Sequence, residues 1–210
     1  MNKPILNKKG FSKRTYRLKD FLYDLMTLLY SCPCLIRAAH EKTIEPAFRE
    51  KIMLAVSNVL GCRFCSWLHT ELILKEGVDK KEITKILASE IGSFPEHEAV
   101  ALAFAIHYSE SQGRPKREPW ERFLNYYGED TAKTILSYIK AIYWGNLTGN
   151  TVEAFLYRLR GRPAEGSKFL DELVIFSLTS PYFLIILPLI ARMIKPNFDR
   201  TISNPQATVF

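Results

Sequence analysis

The chain has 210 residues, 47% hydrophobic and 24% charged, which is enough for one domain with a real core or at most two small ones. Its net charge of +7 is local: seven of the 29 basic residues fall in the first 19 positions, where there is no acid, and the remainder equal the 22 acids. A basic arm on a neutral body excludes a groove for duplex nucleic acid. Four cysteines, two of them in a Cys-x-x-Cys pair, exclude a secreted disulfide scaffold and point to a reducing, cytoplasmic setting.

Residues 1–19 read as a flexible arm containing Pro4 and Gly10, and no cleavable leader is expected, because the basic start runs into Phe21-Leu22-Tyr23-Asp24. From Leu18 to Ile36 the chain turns apolar, as suits a helix ended by Pro33. Arg49 to Leu60 is an apolar-periodic helix that Gly61 can stop in a left-handed cap. A second helix then runs from about Cys62 to Glu76. Asp79 is placed to cap a third, with Glu82 in capping-box position. Pro95 opens another that reaches about Ser111, Gly113-Arg114-Pro115 is a turn, and a short helix runs from Trp120 to Tyr127. Thr131 to Leu159 is long and helical. With no convincing strand and no repeat, the fold class is all-α.

Three parts are expected: an arm over 1–19, a helical domain over 20–163, and an apolar extension over 164–210. Within the last, Leu173 to Ala191 is a run of uncharged, mostly apolar residues, long enough to approach a membrane span but broken by Pro181 and Pro188. It reads as buried helices over the core or a subunit interface, with membrane attachment as the alternative. If the tail meets lipid, the basic arm supplies a second, electrostatic anchor.

The chemistry gathers at Gly61-Cys62-Arg63-Phe64-Cys65-Ser66-Trp67-Leu68-His69. At 3.6 residues per turn, Cys62, Cys65 and His69 share one helical face. His69 can approach the Cys65 sulfur, and Glu50 on the preceding helix can hold the other imidazole nitrogen. An imidazole near pKa 6.5 and a thiol near 8.5 exchange a proton almost evenly at neutral pH. Two nucleophiles are open on physical grounds. The helix N-terminus and Arg63 favour a thiolate at Cys62, whereas the Glu50–His69 relay favours Cys65. Cys32 and Cys34 read as ordinary part-buried thiols, with a four-thiolate zinc site shared with Cys62 and Cys65 as the outside alternative. His40, His97 and His107 have no comparable setting, and Asn146 and Asn150 on the last long helix are given no role.

The pattern Glu50-x11-Cys62-x2-Cys65-x3-His69 resembles the active-site signature of the AhpD-like alkylhydroperoxidases, within the carboxymuconolactone decarboxylase superfamily, over about Glu41 to Arg160. The resemblance implies a thiol peroxidase or disulfide oxidoreductase in which Cys65 is oxidised by a hydroperoxide and Cys62 resolves it, with Glu50 and His69 as proton relay. It further implies a thiol or redox-protein electron donor and a trimer or hexamer of like chains. Phe64 and Trp67 favour an organic hydroperoxide. No nucleotide or flavin fingerprint appears, so no cofactor is expected. The competing readings are a lactone-decarboxylating lyase of the same superfamily, which does not need the cysteine pair, and a non-catalytic membrane-associated sensor or scaffold.

Overall fold

The structure, a computed structural model, describes residues 11, 13–181 and 185. Every regular element among them is helical: α1 (Leu18–Glu41), α2 (Pro46–Leu60), α3 (Arg63–Lys75), α4 (Lys80–Leu87), a 3-10 turn (Ile91–Ser93), α5 (Glu96–Glu110), α6 (Arg117–Tyr127) and α7 (Glu129–Leu159). Residues 169–181 are helical as well. The all-α expectation holds.

The layout follows from which helices carry apolar residues on more than one side. α2 packs against α3, α4, α5 and α7, and it buries Ile52, Leu54 and Val56 completely. Its neighbours answer with Ile73 from α3, Ile86 from α4, Leu102 from α5, and Ile135, Ile139 and Leu147 from α7. A helix apolar over most of its circumference has to be enclosed. α2 is that helix, and its C-terminal end presents the cysteine pair.

Short-range signals set most helix ends. Pro46 sits in the first turn of α2, where its missing N–H is no loss. Gly61 ends α2 at φ 66°, ψ 23°. Its N–H donates to the Asn58 carbonyl and that of Cys62 to the Ser57 carbonyl, the paired closure of a Schellman turn. Asp79 caps α4 by accepting the Lys81 N–H at 2.9 Å. Glu82 does not complete the capping box, because its carboxylate lies 2.7 Å from Lys51 Nζ. Buried Lys51 needs counter-charge, and with Glu98 also bonded to it the ion cluster outweighs a cap. α6 starts earlier than expected, at Arg117, and α7 starts at Glu129, directly after Gly128, which at φ 75° ends α6 and opens α7.

Pro33 does not end α1, which continues to Glu41. A proline inside a helix costs about 3 kcal/mol. That loss is offset by packing along α7: the Phe21 ring lies 5.5 Å from Trp144, and Ala38 is buried near the far end. Tertiary contact on both sides of Pro33 overrides the local break.

The body also reaches into the expected arm. Tyr16 is buried, donates its N–H to Thr151 Oγ1 at 2.9 Å and its hydroxyl to Asp24 at 2.8 Å. Arg14 donates to the Ser109 carbonyl at 3.2 Å and to Tyr143, and Lys13 pairs with Glu153. Residues 13–17 therefore lie strapped across α5 and α7, and residues 1–10 and 12 lie outside the described residues.

At the other end, Arg158 of α7 grips buried Glu172 through two hydrogen bonds, and the Phe176 ring lies tilted against Phe155 with centres 4.8 Å apart. Most of the apolar run from 182 to 191 lies outside the described residues. Among the described residues, no helix is long and apolar enough to cross a membrane.

Candidate active site

The site is built at the elbow between α2 and α3. Cys62 closes the Schellman turn and is at once the N-cap of α3, its sulfur accepting the Cys65 N–H at 3.4 Å. Cys62 and Cys65 are joined in a disulfide, with 5.3 Å between their α-carbons. Cys62 is only 5% exposed, while Cys65 is partly open. Of the two residues, Cys65 is the more open to an outside reagent.

On the same two helices, Glu50 Oε2 lies 2.6 Å from His69 Nδ1, and both residues are nearly sealed from solvent at 4% and 6% exposure. A carboxylate at that nitrogen makes Nδ1 the donor and leaves Nε2 as the free ring nitrogen. His69 stands one helical turn beyond Cys65 on the same face of α3. Glu50 does not stand alone: Arg49 Nε donates to its other oxygen, Oε1, at 2.9 Å, and Nη2 lies at the same distance. Burial would raise the Glu50 pKa, but the hydrogen bond and charge of His69, joined by those of Arg49, outweigh it and hold the carboxyl below its ordinary value.

The four residues picked out by spacing thus come together as two bonded pairs, Glu50 with His69 and Cys62 with Cys65, on adjoining helices. Arg49 is the member that spacing did not reveal. Neighbouring helical positions point about 100° apart and rarely meet, so no periodicity marks it. Asn146 and Asn150 also prove to brace the elbow. Asn146 Nδ2 donates to Ser57 Oγ at 3.1 Å, and Asn150 Nδ2 donates to the Leu60 carbonyl at 2.9 Å and the Arg14 carbonyl at 3.2 Å. They hold the last turn of α2 against α7 and the strap.

Phe64 and Trp67 are exposed on α3 with ring centres 5.9 Å apart. A cleft of ≈ 640 Å³ opens beside the elbow, lined among others by Gly61, Arg63, Lys13 and Glu153.

Cys62 and Cys65 are bonded to each other, and Cys34 lies 3.7 Å from Thr134 on α7. Among the described residues, no three His, Cys, Asp or Glu side chains are grouped as a metal requires. His107 accepts the Lys116 N–H at 3.1 Å, and His97 packs edge-on to Phe48; neither joins the site.

Fold and site define a class: an all-helical protein whose disulfide forms the corner between two helices, with a buried carboxylate–imidazole pair behind it. Residues 35–105 match the carboxymuconolactone decarboxylase family, and that segment runs from the second half of α1 to α5 and holds all four residues. No curated protein and no solved structure matches the chain.

Proposed function

We propose that the chain is a thiol-dependent peroxidase and disulfide oxidoreductase of the AhpD-like kind. The observation that carries this reading is the Glu50–His69 pair at 2.6 Å, standing behind a cysteine pair already oxidised to a disulfide. In the reduced protein, His69 Nε2 takes the Cys65 proton, and the thiolate attacks the outer oxygen of a hydroperoxide. The S–O bond forms as the O–O bond breaks, and the departing alkoxide takes a proton and leaves as an alcohol. The Cys62 sulfur then attacks the Cys65 sulfenic acid, and its oxygen leaves as water. An external dithiol returns two electrons and two protons by exchange, entering at the open Cys65 sulfur. Phe64 and Trp67 favour organic hydroperoxides over hydrogen peroxide.

The family description itself favours a second reading, a lyase acting on a lactone carboxylic acid. Cys65→Ser separates the two: it abolishes hydroperoxide consumption under the first and leaves decarboxylation untouched under the second. The direct test is mass-spectrometric thiol titration of the reduced protein after adding an organic hydroperoxide. Loss of two thiols at Cys62 and Cys65, one disulfide per hydroperoxide, supports the peroxidase; two persisting thiols reject it.

Self-association completes the proposal. α1 turns Leu22, Met26, Leu29, Tyr30 and Ile36 outward, with Met26 64% and Tyr30 90% exposed. A face of that character suits a second copy of the chain.

A further inference from the structure

We propose that Arg49, seated on the ring of Tyr138, is the positioning residue that keeps Glu50 ionised and aimed at His69. The inference rests on the peroxidase reading for its kinetic consequence but not for its geometry. Arg49 lies on α2 directly before Glu50, a spacing at which side chains do not naturally face each other. Its guanidinium is nevertheless turned back, with Nε and Nη2 both 2.9 Å from Glu50 Oε1. What makes that turn favourable comes from another helix: the guanidinium carbon lies 5.9 Å from the centre of the Tyr138 ring of α7. Tyr138 is buried, so the ring is a fixed platform.

The consequence is a division of labour between the two carboxylate oxygens. Oε1 is occupied by Arg49, and Oε2 is left to His69 Nδ1 at 2.6 Å. Without the guanidinium, the carboxylate could rotate, and burial would draw it toward its neutral form. A neutral Glu50 could itself donate to Nδ1 and would no longer hold Nε2 as the free ring nitrogen. The groups acting on Glu50 are His69 from α3, through its hydrogen bond, and the Arg49 guanidinium from its own helix. Two acids from α4 and α5, Glu82 and Glu98, are committed to Lys51, the residue after Glu50. Arg49 thus links α7, through α2, to the sulfur chemistry on α3.

The test uses the full-length chain and two readouts. Isotope-edited infrared spectroscopy follows ionisation of the Glu50 carboxyl in the disulfide form, where no turnover is needed. Arg49→Met is expected to move that ionisation upward by about one pH unit, the low end for loss of an adjacent opposite charge, since the Arg49 side chain is 32% exposed. Arg49→Lys should restore most of the shift. Tyr138→Leu should reproduce part of it, and Tyr138→Phe, which keeps the ring, none; these two serve as well if Arg49→Met does not fold. The second readout is the pH profile of Cys65 oxidation by an organic hydroperoxide, whose acid limb is expected to move upward with the Glu50 ionisation in Arg49→Met. An unmoved Glu50 ionisation in both Arg49→Met and Tyr138→Leu overturns the inference. A shifted ionisation in a protein that ignores hydroperoxides upholds the role of Arg49 and rejects the peroxidase reading alone.

Discussion

Burial on its own would discharge Glu50, so its lowered pKa measures how firmly its partners hold it. The linkage has a definite sign. A carboxyl whose folded pKa lies below its unfolded one contributes stability that is complete above the ordinary value of 4.5 and is lost as pH falls through the folded value. Glu50→Gln should therefore cost about 2 kcal/mol at neutral pH, typical of a hydrogen bond to a charged group. It should also flatten the acid side of the stability curve, which denaturant unfolding at several pH values would register. Equal slopes for mutant and wild type below pH 4.5 would remove Glu50 from the account. Glu50, His69 and the cysteine pair could be read from spacing, since each lies at a fixed helical offset or just across one glycine. Arg49 could not be, because its contact depends on a ring supplied from 89 positions further along the chain, and nothing local in the sequence encodes that meeting.

At the scale of elements, the legible features were those written in a few consecutive residues: Gly61 as a stop, Asp79 as a cap, Pro95 before α5. The elements that ran differently were decided by distant partners. α1 passed through Pro33 because α7 holds both of its halves, and Glu82 left its cap for Lys51. Two variants test this division. Pro33→Ala should stabilise the fold by about 1–3 kcal/mol, because it removes a helix-interior proline without disturbing the α7 contacts; an unchanged melting temperature would mean that the helix has already accommodated the ring. Gly61→Ala should cost about 1–2 kcal/mol. The cause there is the positive φ rather than crowding, since the nearest atom to an added β-carbon is Lys13 Cγ at 3.8 Å. The same variant should slow formation of the Cys62–Cys65 disulfide, because the turn that Gly61 makes is what sets Cys62 at the head of α3.

For the molecule as a whole, the outer face of α1 stands out among the described residues as an exposed apolar stripe. No charged residue lies between Asp24 and Arg37, and Leu22, Met26, Leu29, Pro33 and Ile36 follow one another at intervals of four and three along the exposed side. Such spacing is what a partner helix reads. Met26→Glu combined with Leu29→Glu should reduce the assembled mass in light scattering while leaving the helical circular dichroism intact. A wild-type chain that is already monomeric at high concentration would dispose of the subunit-interface reading.

The strap formed by residues 13–17 bears on how the protein is handled in the laboratory. Because Asn150 ties the Arg14 carbonyl and the Leu60 carbonyl to one amide, a truncation beginning at Leu18 would strip support from the corner that carries the sulfurs. Trimming that looks cosmetic would then yield a looser, more readily reduced disulfide, and redox potentials measured on shortened and full-length chains would disagree.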